Sequence, residues 1–115
     1  MQAPGYLELT CYQGATFDYS MTWKVDGTAV NLTSYTARMQ VRETYDSTDY
    51  LYSLTSSSAI TLGGTAGTIR IQLSAAETAG VASGQYAYDL ELVSSGSVVT
   101  RLVQGPFFMD PEVTR

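Results

Sequence analysis

The chain has 115 residues, which indicates a single domain, and a hydrophobic fraction of 44%, which is ordinary for a globular protein. Its formal net charge is −5 and its six lysines and arginines are dispersed, which argues against binding to a nucleic-acid backbone. The single cysteine, Cys11, excludes an intrachain disulfide, and the absence of histidine removes the usual general base. The sequence contains no apolar run of membrane-spanning length and no signal-peptide pattern.

Alternation of apolar and polar residues predicts β-strands along most of the chain. It is clearest in residues 17–25, which end at the turn dipeptide Asp26-Gly27. Trp23 belongs to the apolar side of this segment, so we predict a core residue and not an exposed platform for a sugar or a base. In chain order, the predicted strands are residues 6–12, 16–25, a short edge segment at 29–32, 36–43, 50–54, 59–62, 68–73, 86–93 and 98–109.

Local signals also mark the connections between these strands. The glycine-rich residues 63–67 predict a hairpin loop. Ser74 and Glu77 fit a capping box, which predicts a short helix over residues 75–81. Gly84 is the predicted stop signal beyond its C-terminal end. Gly105-Pro106 predicts a bulge or an edge position in the last strand. Seven or eight short strands with one crossover helix predict an all-β, two-sheet sandwich, and a barrel is the alternative.

Acidic pairs are the main candidates for chemistry in this sequence. Asp89 and Glu91 lie two residues apart in a predicted strand, but a glycosidase pair would flank a substrate cleft, so we predict a solvated strand face. Asp46 and Asp49 lie in a polar loop that lacks the pattern of a calcium-binding EF-hand, so we predict a plain acidic loop. We therefore predict no catalytic residue, no cofactor and no metal site.

Tyrosines around the polar loop are the strongest contact feature of the sequence. Tyr45, Tyr50 and Tyr52 flank this loop, and exposed tyrosines are frequent in binding surfaces. The ends of the chain, residues 1–5 and 110–115, lack a core pattern, so we predict that they are flexible and become ordered on assembly. The predicted interaction surface comprises Tyr45, Tyr50 and Tyr52 with Asp110, Pro111 and Arg115.

The order and spacing of several segments resemble the immunoglobulin-like N-terminal domain of phage baseplate upper proteins. The segments that carry the resemblance are residues 13–17 (Gln-Gly-Ala-Thr-Phe), 22–24 (Thr-Trp-Lys), 26–42, 67–69, 73–78, 84–92 and 99–102 (Val-Thr-Arg-Leu). The resemblance implies an immunoglobulin-like β-sandwich with no enzymatic activity. It also implies a structural component of a phage virion, in the tail, baseplate or neck, that connects fibres or other tail proteins.

Partners and location follow from the same resemblance. It implies contacts with other tail or baseplate proteins, a homo-oligomer in the particle, and synthesis in the host cytoplasm before incorporation into the virion. The dispersed positive charges and the lack of a membrane-spanning run predict no nucleic-acid and no membrane partner. The alternative hypothesis is a carbohydrate-binding or adhesive sandwich, which the tyrosine-rich region at residues 45–52 favours.

Overall fold

Eleven strands, one short α-helix and one 3₁₀ turn occupy residues 4–114, the part of the chain that the computed structural model describes. Most of them agree with the predicted elements to within a few residues. They are β1 (Gly5–Tyr6), β2 (Leu9–Tyr12), β3 (Phe17–Thr22), β4 (Lys24–Val25), β5 (Thr28–Ala29), β6 (Thr36–Arg42), β7 (Tyr52–Thr55), β8 (Ile60–Leu62), the 3₁₀ turn Gly64–Ala66, β9 (Thr68–Leu73), α1 (Ala75–Ala79), β10 (Gly84–Val93) and β11 (Val99–Asp110).

The strands form two main sheets and a small hairpin. In the large sheet the order is β1-β11-β10-β6-β7, and β2 continues the β1 edge by also pairing with β11. The small sheet has the order β3-β9-β8, while β4 and β5 form the separate hairpin. Only β1 and β2 run parallel to their neighbour; the other pairs are antiparallel. The predicted two-sheet sandwich is confirmed, and the sheets do not close into the alternative barrel.

The strand order is that of an immunoglobulin-like sandwich. In the small sheet, β3, β9 and β8 correspond to the second, fifth and fourth strands of the immunoglobulin pattern. In the large sheet, β6, β10 and β11 correspond to the third, sixth and seventh, and β7 is an added edge strand. Tyr86, near the start of β10, donates a hydrogen bond from its hydroxyl to the carbonyl of Ala82 over 2.6 Å. This is the tyrosine corner found at the same place in many immunoglobulin-like domains.

A single hydrophobic core fills the space between the two sheets. Phe107 of the large sheet lies at its centre, with its ring 5.8 Å from that of Phe17 on the small sheet and 6.4 Å from that of Tyr88. Cys11 is buried as predicted, and burial raises its thiol pKa to about 11, which keeps the thiol protonated and unreactive at neutral pH. Trp23 is also buried, which confirms its predicted place in the core.

The predicted strand 16–25 is interrupted at Trp23. The amide of Trp23 donates to the carbonyl of Gly67 and its carbonyl accepts from the amide of Val30, each over 2.9 Å. The chain then enters the β4–β5 hairpin, whose turn residues Asp26 and Gly27 have φ values of 52° and 80°, as a type I′ turn requires. Val25 therefore does not continue the buried side of the strand and is 47% exposed, contrary to the prediction.

The predicted strand 6–12 is divided into β1 and β2 because of residues in β11. A Cβ atom at Gly105 would lie 2.4 Å from the carbonyl oxygen of Leu7, so the close approach of the two backbones requires glycine. The hydroxyl of Tyr88 donates to the same oxygen over 2.7 Å. Gly105 and Pro106 pair with β10, and the register shifts between Leu90 and Glu91, so the bulge lies elsewhere in the strand. On the other side of β11 these two residues fall between the stretches that pair with β1 and β2, which is the edge position that was the alternative prediction.

Helix α1 forms where its capping box predicts. Ser74 accepts from the amide of Glu77 over 3.1 Å, and the carboxylate of Glu77 accepts from the amide of Ser74 over 2.9 Å. The helix ends at Ala79 with Gly80 as its C-cap, whereas Gly84, the predicted end, opens β10. Thr78 is buried, and its hydroxyl donates to the carbonyl of Ala15, which ties the helix to the β2–β3 turn.

The ends of the described chain are partly built into the fold. Gly5 pairs with Val103, and Asp110 pairs with Tyr12 as the last residue of β11, so neither belongs to a flexible end as predicted. Beyond them, the amide of Glu112 donates to the side chain of Gln13. Residues 1–3 and Arg115 lie outside the described residues.

Candidate interaction surface

The outward side of the large sheet, here named the large-sheet face, gathers most of the exposed tyrosines. In β10 the side chains of Tyr88, Leu90 and Leu92 are buried, so the residues between them point outward. Directly paired residues lie on the same side of a sheet, so the strand register defines the rows of this face. The central row is Tyr6, Gln104, Asp89, Gln40 and Ser53, and the next row is Pro106, Ala87 and Arg42.

Three tyrosines of this face are exposed. Tyr6 is 71% exposed, Tyr12 is 60% exposed and Tyr45, in the loop between β6 and β7, is 69% exposed. The hydroxyl of Tyr6 donates to the carboxylate of Glu8 over 3.2 Å, and Tyr45 lies over the centre of the sheet beside Gln40 and Asp89. The face therefore presents aromatic surface at its edges and over its centre.

Four charged side chains on the large-sheet face form ion pairs. Glu91 lies directly opposite both Arg38 and Arg101, and its carboxylate is 2.7 Å from Nε of Arg38. The carboxylate of Asp89, in the central row, is 3.5 Å from Nε of Arg101. Burial, followed by the charge of Glu91, raises the pKa of Asp89 in spite of the surrounding arginines. The two carboxylates thus belong to a network of ion pairs on an open sheet.

A small cleft of about 100 Å³ lies beneath Tyr45. Arg42 holds the loop that forms it, because its Nη1 donates to the carbonyl of Ser47 over 2.6 Å and its Nη2 donates to Gln40 over 2.7 Å. The lining comprises Gln40, Arg42, Thr44, Tyr45, Ala87, Tyr88 and Asp89. An exposed ring, an amide, a guanidinium and a carboxylate therefore converge here, and such groups are suited to non-covalent recognition.

The structure separates the three tyrosines that the sequence grouped together. Tyr45 lies on the large-sheet face, and Tyr50 is 55% exposed just before β7. Tyr52 is only 8% exposed, so its assignment to the interaction surface was wrong. Its hydroxyl donates to the carbonyl of Glu77 over 2.9 Å, and burial, with smaller contributions from Cys11, Glu77 and Tyr86, raises its pKa to about 12.

The remaining predicted contact residues come from the C-terminal end. Asp110 is exposed opposite Tyr12, at one end of the large-sheet face, and Pro111 is exposed next to it. Arg115 is outside the described residues. Tyr6 and Tyr12, which are exposed on the same face, were not among the predicted contact residues, although the alternation that buries Leu9 and Cys11 also carries Tyr12 outward.

Acidic residues do not form a metal site among residues 4–114, where no three histidine, cysteine, aspartate or glutamate side chains come together. In the polar loop, the carboxylate of Asp46 accepts a hydrogen bond from Thr44 over 2.8 Å. No helix within the described range is long and apolar enough to cross a membrane.

A scan against protein-family models and a search of curated protein sequences each returned no match.

Proposed function

We propose that this chain is a non-enzymatic structural component of a bacteriophage virion, located in the tail, baseplate or neck. In this role it is an assembly domain that connects fibres or other tail proteins. The resemblance of its segments to the N-terminal domain of baseplate upper proteins supports the virion assignment. The large-sheet face, with exposed Tyr6, Tyr12 and Tyr45, is the observation that supports a role in protein contacts.

The composition of the large-sheet face supports the proposed contact role. Tyrosine and arginine are enriched in protein contact surfaces, whereas aspartate and glutamate are depleted from their centres. Here Glu91 is paired with Arg38, so a partner that covers the face does not bury this carboxylate without a counter-charge. Gln40 and Gln104, which flank Asp89 in the central row, add uncharged groups that can form hydrogen bonds.

The partners in this proposal are other tail or baseplate proteins and further copies of the same chain. The protein is made in the host cytoplasm and is then incorporated into the particle. The proposal involves no cofactor, nucleic acid or membrane. Many copies in one particle would allow weak individual contacts to hold the assembly together.

Mass spectrometry of purified virions, with immunogold labelling to locate the protein, tests the virion assignment. We expect the chain to co-purify with tail proteins and the label to lie on the tail. Absence of the chain from purified particles would contradict the assignment.

The cleft beneath Tyr45 favours a second candidate function, a carbohydrate-binding or adhesive module. Its ring and its neighbouring polar groups, Gln40, Arg42 and Asp89, could stack on and hydrogen-bond a saccharide. A glycan array tests this candidate, with Tyr45→Ala as the diagnostic variant and Tyr50→Ala, outside the cleft, as its matched control. Binding that is lost only in Tyr45→Ala would support it, whereas an array without signal would leave the assembly role alone.

A further inference from the structure

Strand β3 has a free edge along all its six residues. It pairs with β9 on one side, and within residues 4–114 its backbone makes no hydrogen bond to any other segment. The other sandwich edges are shorter or interrupted: β7 has four residues, β8 has three, and the β1–β2 edge is broken at Leu7 and Glu8. The edge of β3 is therefore the longest continuous set of unpaired backbone groups in the sandwich.

Protective features of edge strands are missing from β3. Natural edges are commonly blocked by proline, by lysine, by a bulge or by a charge that points inward. The β3 segment has none of these, and its register with β9 is regular throughout. Its one charge, Asp18, points outward and is held by two hydrogen bonds from Arg70, at 2.9 and 2.6 Å. The strand is thus not protected against pairing with another strand.

The core is incomplete beneath this edge. Tyr19 and Met21 point inward but are only half-buried, whereas their direct neighbours in β9, Ile71 and Ile69, are both 0% exposed. At the other end of β3, Phe17 is buried against Phe107. One further strand beside β3 would cover Tyr19 and Met21 and would complete the buried layer.

The large sheet extends beyond the small one at the β3 edge, because Phe17 of β3 packs against Phe107 of β11, and β1 and β2 lie on the far side of β11. The small sheet is three strands wide, whereas the large sheet is five strands wide. In immunoglobulin-like domains the first strand can pair with the second, but here β1 and β2 pair with β11 instead. Leu7 and Val103 of the large sheet are half-buried beside the core, so they provide apolar surface beneath the unfilled position.

We propose that the free edge of β3 is a strand-addition site that takes one extended segment of another polypeptide. The segment carries apolar side chains at every second position, which cover Tyr19 and Met21, and polar side chains between them, which face solvent. A second copy of the sandwich does not fit at this site. If two copies joined through their β3 edges, their small sheets would form one continuous sheet, and both large sheets would lie on the same side of it. The projecting edges of the two large sheets would then overlap. The inference extends the assembly role proposed above, but it depends only on β3 and its surroundings.

A tethered strand tests this inference on the full chain. The probe is the segment Thr-Val-Thr-Val-Thr-Val-Lys, fused to the N-terminus through a flexible Gly/Ser linker that gives a millimolar effective concentration. The matched control has prolines in place of its third and fifth residues. We expect the alternating segment to raise the unfolding midpoint by about 5 °C relative to this control and to slow amide exchange of residues 19–21 at least ~10-fold.

Met21→Lys gives an independent check, because an inward-pointing lysine is a natural block to strand pairing. In the tethered protein, we expect this substitution to abolish the added protection, whereas Met21→Leu retains it. Equal midpoints and equal exchange in the alternating and proline-containing fusions would overturn the proposal, as would protection at β7 instead of β3. Detection of the chain in virions has no bearing on this experiment, so either proposal can fail alone.

Discussion

The two outer faces of the sandwich share the same alternation but carry different side chains. On the small sheet the outward residues are short or polar, and an ion pair there joins Asp18 to Arg70 at 2.6 Å. These outward residues are Asp18, Ser20, Thr22, Thr61, Thr68, Arg70 and Gln72. The large-sheet face carries Tyr6, Tyr12, Tyr45 and Phe108 in addition to its ion pairs.

This difference is the reason why we propose the large-sheet face as the contact surface. A solvated sheet face needs only polar groups, and the small sheet satisfies that requirement. The aromatic side chains of the large-sheet face have no such explanation, because exposed rings contribute little to folding. They do supply large, rigid contact surfaces at low entropic cost when a partner binds. We therefore expect substitutions on the two faces to differ more in their effect on binding than in their effect on stability.

The largest expected effect separates a tyrosine of the core from a tyrosine of the surface. Tyr52→Ala removes a buried ring that packs 6.3 Å from Phe107, so we expect a loss of about 3 kcal/mol in the free energy of unfolding. Tyr45→Ala should change it by less than ~0.5 kcal/mol. Urea denaturation of both variants measures the difference, and similar losses in the two would contradict the assignment of these residues.

A smaller loss is expected for Gly105→Ala, which probes how the β1 edge is held. The new Cβ would lie 2.4 Å from the backbone oxygen of Leu7 and would force β1 away from β11. We expect a cost of about 1–3 kcal/mol, with faster amide exchange in β1. Gly27→Ala is not a suitable control because of its positive φ, whereas Gly96→Ala, in an open turn, should have little effect. Equal losses at positions 105 and 96 would refute this explanation.

Substitutions on the two faces are expected to differ in binding free energy by an amount similar to the stability loss of Gly105→Ala. The binding partner is first identified by chemical cross-linking in purified virions, and Tyr45→Ala should then weaken binding to it by about 2 kcal/mol, or roughly 30-fold. Thr61→Ala, on the outward side of the small sheet, should leave the affinity unchanged. Isothermal titration calorimetry measures both, and equal affinities for the two variants would contradict the role of the large-sheet face.

The smallest expected effect is a pH dependence of stability that has opposite signs for Asp18 on the small sheet and Asp89 on the large-sheet face. Hydrogen bonds with Arg70 are the main cause of a lowered pKa of Asp18. The ionised carboxylate therefore stabilises the folded state at pH values above the unfolded pKa, and this contribution is lost as pH falls through the lower pKa of the folded state. The pKa of Asp89 is raised by burial and Glu91, so its folded form binds a proton more readily and its destabilisation is relieved as pH falls through the raised value.

Melting curves between pH 3 and 7 measure the two contributions. Asp18→Asn should flatten the loss of stability at the acid end. Asp89→Asn should remove a gain that occurs at somewhat higher pH, with an effect below ~1 kcal/mol because the side chain is partly solvated. A steeper acid loss in Asp18→Asn, or an acid gain that persists in Asp89→Asn, would show that other groups control these transitions.

Much of the fold could be predicted because alternation reports directly which side of a strand is buried. It identified the long strands, and the Ser74–Glu77 capping box located the helix. Alternation does not report which backbones approach each other. The break at Leu7 depends on Gly105, which lies far away in the sequence, and the break at Trp23 depends on Gly67 and Val30.

The candidate surface was only partly predictable for the same reason. Tyr45 was among the predicted contact residues. The fold of its loop over Gln40 and Asp89, however, depends on the hydrogen bonds of Arg42. Tyr52 was misassigned because closeness to a polar loop outweighed its alternation with Leu54, which is also buried. Tyr6 and Tyr12 could have been found from the outward phase of their own strand, but the pairing of β1 and β2 with β11 is what brings them onto the large-sheet face.

Hydroxyl-radical footprinting of this chain in purified virions and in free solution tests the central claim most directly. If the large-sheet face is the contact surface of a virion component, oxidation of Tyr6, Tyr12 and Tyr45 should fall several-fold on assembly. Oxidation of these three tyrosines to the same extent in both states would contradict the claim, as would absence of the chain from the particles.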